Sequence, residues 1–314
     1  MRLSIVIASF NTRELLERAL RSIEAHAPRA GHETIVVDNA SADGSADMVA
    51  ARFPGVRLVR NPANLGFAAA SNRALALARG EYVFLMNSDA ELVPRTLDRL
   101  VDALDADPTI GIVGPTERLA DGTRYPTICP FPGLVFVVLS HLGLRRRFNR
   151  SRLINPIRAV WERAQASGEP VDVDWLSGAS LLVRRAVLDE AAGFDEGFFF
   201  YMEETDLCRR ARGRGWRVVF VPSAEIIHHG GASTDKAAGG LLTLAGALSE
   251  LRYFDKHAGP VQRGLLRALL LAEHLLRLLV SGPGDPRRRA HREVLKAVVG
   301  RRDARVGAED LCPR

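Results

Sequence analysis

Cysteine is scarce in this chain of 314 residues: Cys129, Cys208 and Cys312 stand far apart, with no Cys-x-x-Cys pair and no Cys/His cluster. That excludes a disulfide-stapled secreted scaffold and a cysteine-based zinc site. Aromatic residues make up only 6% of the chain and do not interleave with the basic ones, so a stacking platform for nucleic acid is missing. No nucleic-acid partner is expected. The chain runs from Met1 directly into Leu3-Ser4-Ile5-Val6-Ile7 without a basic, hydrophobic and small-residue leader, and the expected compartment is the reducing cytoplasm. An uncharged run of 18 residues is also absent, because Arg263, Arg267, Glu273, His274 and Arg277 interrupt the most apolar segment. A membrane-spanning helix is therefore not expected. No Gly-x-Gly-x-x-Gly follows the first strand, which argues against dinucleotide oxidoreduction, and Ser9-Phe10-Asn11-Thr12-Arg13 is not the Gly-rich phosphate loop of a sugar-nucleotide pyrophosphorylase.

What is present suits an enzyme-sized globular protein. With 47% hydrophobic and 25% charged residues, the chain can bury one large core plus a smaller appended unit. Its net charge of +6 is unevenly placed. Arg145-Arg146-Arg147, Arg150 and Arg152 form one basic cluster, and Arg287-Arg288-Arg289, Arg292, Lys296, Arg301 and Arg302 form another. Each lies beside an apolar stretch, residues 134–144 and 265–280, which points to an anionic lipid surface; a solvated charged rim is the alternative. A peripheral position on the inner face of the plasma membrane is compatible with that pattern.

Hydrophobic periodicity predicts strand, loop and helix in repeated order: strands over residues 2–9, 33–37, 56–60 and 81–86, with helices over 15–23, 46–53, 68–78 and 94–104. Repeated β-α-β units imply an α/β fold with a mostly parallel sheet covered by helices on both faces. In such a sheet the ligand sits beyond the carboxyl ends of the strands. Three polar loops occupy that edge: Ser9-Phe10-Asn11, Asp38-Asn39 and Asn87-Ser88-Asp89. After about residue 115 regular order weakens, and Tyr125-Pro126-Thr127-Ile128-Cys129-Pro130-Phe131-Pro132 is expected to break any element. Strands resume over residues 171–175 and 180–184, and the chain from 259 onward reads as helix, a Gly/Pro interruption, a basic helix and a disordered tail.

Three constellations can carry chemistry. The Asp89 carboxylate at a strand end can hold a divalent cation against a diphosphate, or cap a turn. Glu203-Glu204-Thr205-Asp206 follows the aromatic run 199–201 and opens a helix; a carboxylate there can accept a proton from a hydroxyl nucleophile, or complement the helix dipole. Helical spacing puts Glu203 with Leu207 and Asp206 with Arg210, so the acids have different tasks. Ile226-Ile227-His228-His229-Gly230-Gly231-Ala232-Ser233 is a strand ending in paired histidines and a glycine turn, suited to a metal or phosphate ligand, or to a structural role.

In order, Ser4-Ile5-Val6-Ile7-Ala8-Ser9-Phe10-Asn11, Val36-Val37-Asp38-Asn39-Ala40-Ser41-Ala42-Asp43-Gly44-Ser45, Asn64-Leu65-Gly66-Phe67 and Asn87-Ser88-Asp89 resemble the family-2 glycosyltransferases of GT-A fold, closest to their rhamnosyltransferase-like branch. Trp175-Leu176-Ser177-Gly178-Ala179, the Glu203–Glu204 segment and the His228 segment continue the resemblance over about residues 2–257. The resemblance implies a GT-A catalytic domain over residues 1–257 and a helical basic and apolar extension over 258–314. It implies an inverting, metal-dependent transfer of a sugar, rhamnose from dTDP-rhamnose, to a hydroxyl of a lipid-linked or cell-surface glycan. By the same resemblance, Ala8, Ser9 and Asp38 hold the base and ribose, and Asn72 lines the donor site. Asn11, Asn87, Ser88, Trp175, Gly178 and Glu203 complete the nucleotide-sugar site. Asp89 and His228 hold Mg²⁺ or Mn²⁺. Asn87 stands where the family's Asp-x-Asp has its first acid. Glu204 is the catalytic base, at a place where the family has aspartate. A degenerate module that only binds nucleotide-sugar or serves as a scaffold is the alternative.

Overall fold

The computed structural model describes residues 1–148, 151, 155, 157–230, 239–282, 284–285 and 287–300. Strands β1 (Leu3–Ser9), β2 (His32–Asp38), β3 (Arg57–Arg60) and β4 (Tyr82–Met86) alternate with helices Arg13–Ala25, Ser45–Arg52 and Phe67–Leu75. The five residues of β4 and the last five of β2 are all buried, as strands covered on both faces must be. These elements match the predicted ones to within a few residues. Pro94, expected inside a helix, instead precedes it: the helix is Thr96–Ala106, and Arg95 before it takes a left-handed φ of 68°. There the Thr96 N–H reaches back to the Val93 carbonyl, and a proline next to that turn has no N–H to lose.

The remaining strands are β5 (Ala90–Leu92), β6 (Ile110–Arg118), β7 (Arg124–Tyr125), β8 (Ile128–Cys129), β9 (Val171–Asp172), β10 (Trp175–Leu176), β11 (Ser180–Arg184) and β12 (Arg217–His228). The main sheet runs in the order β3-β2-β1-β4-β11-β6-β12-β5. Pairs β3/β2, β2/β1, β1/β4 and β6/β12 are parallel, while β11 is antiparallel to both β4 and β6. The sheet is thus mixed, mostly parallel and flanked by helices. The segment predicted to break all regular structure keeps two short strands, because β8 pairs with β10 and β7 with β6. Helix Ile157–Ser167, which the sequence reading did not foresee, buries Trp161 and Ala164 against the same face of the core.

Two apolar clusters fill the two faces of the sheet. A third joins helices Gly239–His257, Pro260–Val280 and Arg287–Val298 to Val137 of helix Leu134–His141 and to Phe198. An ion-pair web ties this helical layer to helix Glu203–Gly213: Asp206, fully buried, takes Arg210 at 2.6 Å, Lys256 at 2.8 Å and His257 at 2.6 Å. Burial opposes the Asp206 charge, but His257, Arg210 and Lys256 together hold its pKa below the usual carboxylate range. Asp206→Ala would leave those groups facing one another without a counter-charge. We expect a loss of about 3 kcal/mol in unfolding free energy by urea titration. Arg150 and Arg152 of the first basic cluster, Gly231 to Ser233 of the glycine turn, and the tail from 301, predicted to be disordered, lie outside the described residues.

Candidate active site

The carboxyl ends of β1, β2 and β4 open into a cleft of about 370 Å³. Its floor on the β1 side is Ala8, Ser9 and Phe10, and on the β4 side Asn87, Ser88 and Asp89. A hydroxyl chain holds these two loops together, since the Thr12 Oγ1 donates to the Ser88 Oγ at 2.9 Å and lies 3.0 Å from the Ser9 Oγ. The Asn87 N–H donates to the Ala179 carbonyl, and the His229 N–H to the Asp89 carbonyl. Both loops are therefore fixed before any ligand arrives.

Asp89 faces His228 because of strand register. β5 runs antiparallel to β12 with Ala90 opposite His228, and the Asp89 Oδ1 stands 3.3 Å from the His228 Nε2. The other ring nitrogen, Nδ1, lies 2.8 Å from the Glu117 Oε2, and Glu117 is buried at the end of β6. Burial alone would lower the imidazole pKa, but Asp89 and Glu117 outweigh it and push His228 up to about 10. The same negative field suits a divalent cation. Among the described residues no group of three or more acidic, histidine or cysteine side chains is arranged to hold a metal ion by itself. One oxygen from Asp89 and one nitrogen from His228 could hold a Mg²⁺ or Mn²⁺ if a bound diphosphate supplied further oxygens. Glu117 was not singled out in the sequence, since one acid at the end of an apolar strand gives no local signal. From its place behind His228 it can fix the orientation of that ring, as a carboxylate does for a histidine that holds a metal. Glu117→Gln is expected to weaken Mn²⁺ affinity about 10–100-fold in a calorimetric titration with nucleoside diphosphate present.

The opposite wall is the acidic helix. Phe199, Phe200 and Tyr201 line the cleft ahead of it, and Tyr201 and Met202 take left-handed φ values of 73° and 68°. Two successive non-glycine residues in that region cost about 1 kcal/mol or more each, and they turn the chain so that the helix starts with Glu203 and Glu204 on the cleft. Gly66 makes close contact here possible: at φ +84° a Cβ would stand 2.5 Å from the Phe199 carbonyl oxygen, which accepts the Phe67 N–H at 2.8 Å. Burial, with the neighbouring Glu204 charge, pushes the Glu203 carboxyl well up. Burial also pushes Glu204 up to about 7, although the Gly178 amide is among the backbone N–H groups that donate to its carboxylate. Gly178 eases that approach, as a Cβ there would sit a tight 3.3 Å from the Glu204 Cδ. The Glu203 Oε2 and the Glu204 Oε2 are buried without a partner.

A second, smaller cavity of about 220 Å³ lies on the far side of Glu204, lined by Trp175, Tyr201, Met202, Thr205, Gly246 and Glu250. Glu204 and Tyr201 border both spaces; Glu203 borders only the larger. Helix Gly239–His257 contributes Leu242 and Ala245 to the large cleft, residues beyond the reach of the sequence reading because nothing local marks them.

The structure brings Ala8, Ser9, Asn87, Ser88, Asp89, Gly178, Glu203, Glu204 and His228 to one cleft and leaves four expected residues off its lining. Asp38 is buried just behind the cleft, its Oδ2 accepting the Ser41 N–H while its Oδ1 has no partner. Asn11 braces the same loop, its Oδ1 accepting the Ala42 N–H and its own N–H donating to the Ser41 Oγ. The amide of Asn72 is fully engaged by the Phe194 backbone and Glu196, so it fastens loop 193–196 to helix Phe67–Leu75. Trp175 donates from Nε1 to the Pro130 carbonyl and borders only the small cavity. Asn39 and Asn64 line the cleft instead, linked at 2.7 Å.

The profile of Glycosyl transferase family 2 matches residues 4–155. An N-acetylglucosaminyl-diphospho-decaprenol L-rhamnosyltransferase of Mycobacterium tuberculosis is 34% identical over 314 residues, covering 95% of this chain and 98% of that protein. A rhamnosyltransferase of Escherichia coli K12 shares 42% identity over 57 residues, 18% of this chain and 22% of its own. Among solved structures, the mannosyltransferase PcManGT of Pyrobaculum calidifontis, in complex with GDP-Man and Mn²⁺, superposes with a TM-score of 0.56 at 21% identity over 96% of this chain and 76% of that one. S. aureus TarS 1–349 in complex with UDP-GlcNAc gives a TM-score of 0.56 at 15% identity, over 98% and 82%.

Proposed function

The chain belongs to glycosyl transferase family 2, in its rhamnosyltransferase-like branch and with a GT-A fold, and from that premise we propose an inverting, metal-dependent rhamnosyl transfer from dTDP-rhamnose to a polyprenyl-diphosphate-linked amino sugar. The observation that carries the reading is the convergence of Asp89 with His228 and of Glu204 on one cleft, from opposite walls. The acceptor class is taken from the M. tuberculosis relative, which is named for an N-acetylglucosaminyl-diphospho-decaprenol substrate. The catalytic domain is assigned to residues 1–257, with 258–314 as its helical extension.

Asp38, behind the cleft floor, has a buried carboxylate oxygen without a partner, which a ribose or base N–H or O–H reaching that depth would satisfy. Ala8 and Ser9 form the floor under the nucleoside, and the Asn87-Ser88-Asp89 loop faces the diphosphate. A divalent cation held by Asp89 and His228 would neutralise charge on the departing nucleoside diphosphate. Glu204 stands between donor cleft and small cavity, so an acceptor hydroxyl entering through the latter meets its free oxygen. The Glu204 carboxylate takes the hydroxyl proton as the acceptor oxygen bonds to the anomeric carbon, and the bond from that carbon to the diphosphate breaks on the opposite side. One displacement inverts the anomeric configuration.

Purified protein with Mn²⁺ should release dTDP from dTDP-rhamnose only when a polyprenyl-diphosphate N-acetylglucosamine is added, and proton NMR of the product should show the inverted anomer. Failure to release nucleoside diphosphate from any of a panel of dTDP-, UDP- and GDP-sugars would remove the assignment. Donor binding without release would favour the scaffold alternative.

A further inference from the structure

The geometry points to the outer face of helix Pro260–Val280 as a docking surface for an anionic phospholipid monolayer, an inference that rests on the proposed function only for what the membrane delivers, the acceptor. Leu266, Leu270 and His274 turn inward and are buried. Val261, Leu265, Ala268, Ala272, Leu276 and Leu279 recur at intervals of three and four residues, which places them along a second face, and all are exposed. Leu279 is 83% exposed, Val261 72% and Leu276 60%, and standing side by side on one face they form a contiguous apolar patch rather than scattered single residues. The helix therefore has two apolar faces, and among the described residues only one has a partner. At 21 residues it is about 31 Å long and carries charges within its run, so it suits the plane of a bilayer surface; no helix among the described residues is long and apolar enough to cross a membrane.

Charge selects the occupant. Residues 260–298 hold eight Lys and Arg against three Asp and Glu. The basic run 287–289 sits at the end of the stripe, because Arg288 donates to the Leu278 carbonyl at 2.9 Å and to that of Ser281. Arg289 and Arg292 are exposed beside it. A second copy seated on the stripe would bring like charges together, and a stripe about 31 Å by 10 Å offers roughly 300 Å², well under the ~800 Å² per partner of a stable dimer. Anionic headgroups match both the leucines and the arginines. The position is useful. Helix Gly239–His257, whose Leu242 and Ala245 face the cleft, shares its apolar cluster with Leu266 and Leu270, so the cleft lies one helix layer from the stripe.

The test uses the full chain and sedimented vesicles of 30% phosphatidylglycerol in phosphatidylcholine, beside pure phosphatidylcholine. The parent should pellet with the anionic vesicles and run as a monomer in light scattering. Leu265→Ser/Leu276→Ser/Leu279→Ser should lose at least about tenfold in partitioning with an unchanged melting temperature, and Arg289→Glu/Arg292→Glu should abolish the preference for the anionic vesicles. Equal pelleting of parent and triple variant overturns the inference, as does a parent dimer that the triple variant dissociates. Transfer to a short-chain, water-soluble acceptor should be the same in parent and triple variant. If that transfer is absent while vesicle binding follows the leucines, the proposed reaction falls and the docking face stands; if transfer is present and vesicle binding absent, the reverse holds.

Discussion

Glu204→Gln is expected to bind dTDP-rhamnose as tightly as the parent and to transfer the sugar some 10²–10⁴-fold more slowly, the range over which a positioned general base contributes. The side chain keeps its shape and its contact with Gly178 while losing the ability to take a proton. Burial raises the Glu204 carboxyl to about 7, so the working, deprotonated form is lost as pH falls. The parent's kcat/KM should therefore rise with unit slope up to about pH 7 and level off above it. The same shift has a sign for stability. A raised folded-state pKa disfavours the charged form in the fold, so the parent loses stability as pH climbs from about 4.5 through 7. The Glu204→Gln variant should be the more stable of the two above pH 7, with the difference vanishing below 4.5. Thermal melts at pH 4 and pH 8 check this. A slow variant that is also less stable at pH 8 would mark unfolding rather than chemistry, and a variant with normal turnover would remove Glu204 as the base.

Asp89→Asn should lose the Mn²⁺-dependent part of donor binding and on the order of 10²–10³ in kcat/KM, because it would remove the charged oxygen proposed to hold the cation and leave His228 without its carboxylate neighbour there. Donor titrations with and without Mn²⁺ separate this from general damage: in the parent the two curves differ, in the variant they coincide. If the Asp89→Asn protein kept the full metal response, the cation would have to be held elsewhere. The effect should exceed that of Glu117→Gln, which acts through the orientation of His228.

Much of the fold, and the gathering of polar loops at one sheet edge, is legible in the sequence. Strands β1, β2 and β4 announce themselves as short apolar runs, and their loops carry polar residues that a parallel sheet must gather at one edge. The Glu203–Glu204 helix was legible from its acidic first turn. What stayed hidden depends on pairing between distant strands. Glu117 meets His228 only because β6 and β12 are parallel neighbours, with Glu117 opposite Ile226. Asn72 shows the same dependence on distant pairing. Its motif position suggested the donor site, whereas the tight turn at Gly193, at φ +70°, leaves Phe194 as its partner. Nor could spacing show that helix Gly239–His257 forms a wall of the cleft, since its inward residues, Leu242 and Ala245, are those of any buried helix.

The left-handed pair Tyr201–Met202 bears on how this sequence can drift. Glycine at either position would relieve local backbone strain, so a laboratory selection for thermal tolerance alone should accumulate Gly there and at Arg95. A selection that also demanded sugar transfer should keep Arg95→Gly and discard the other two, because a looser turn would no longer aim Glu204 at the boundary between its two cavities.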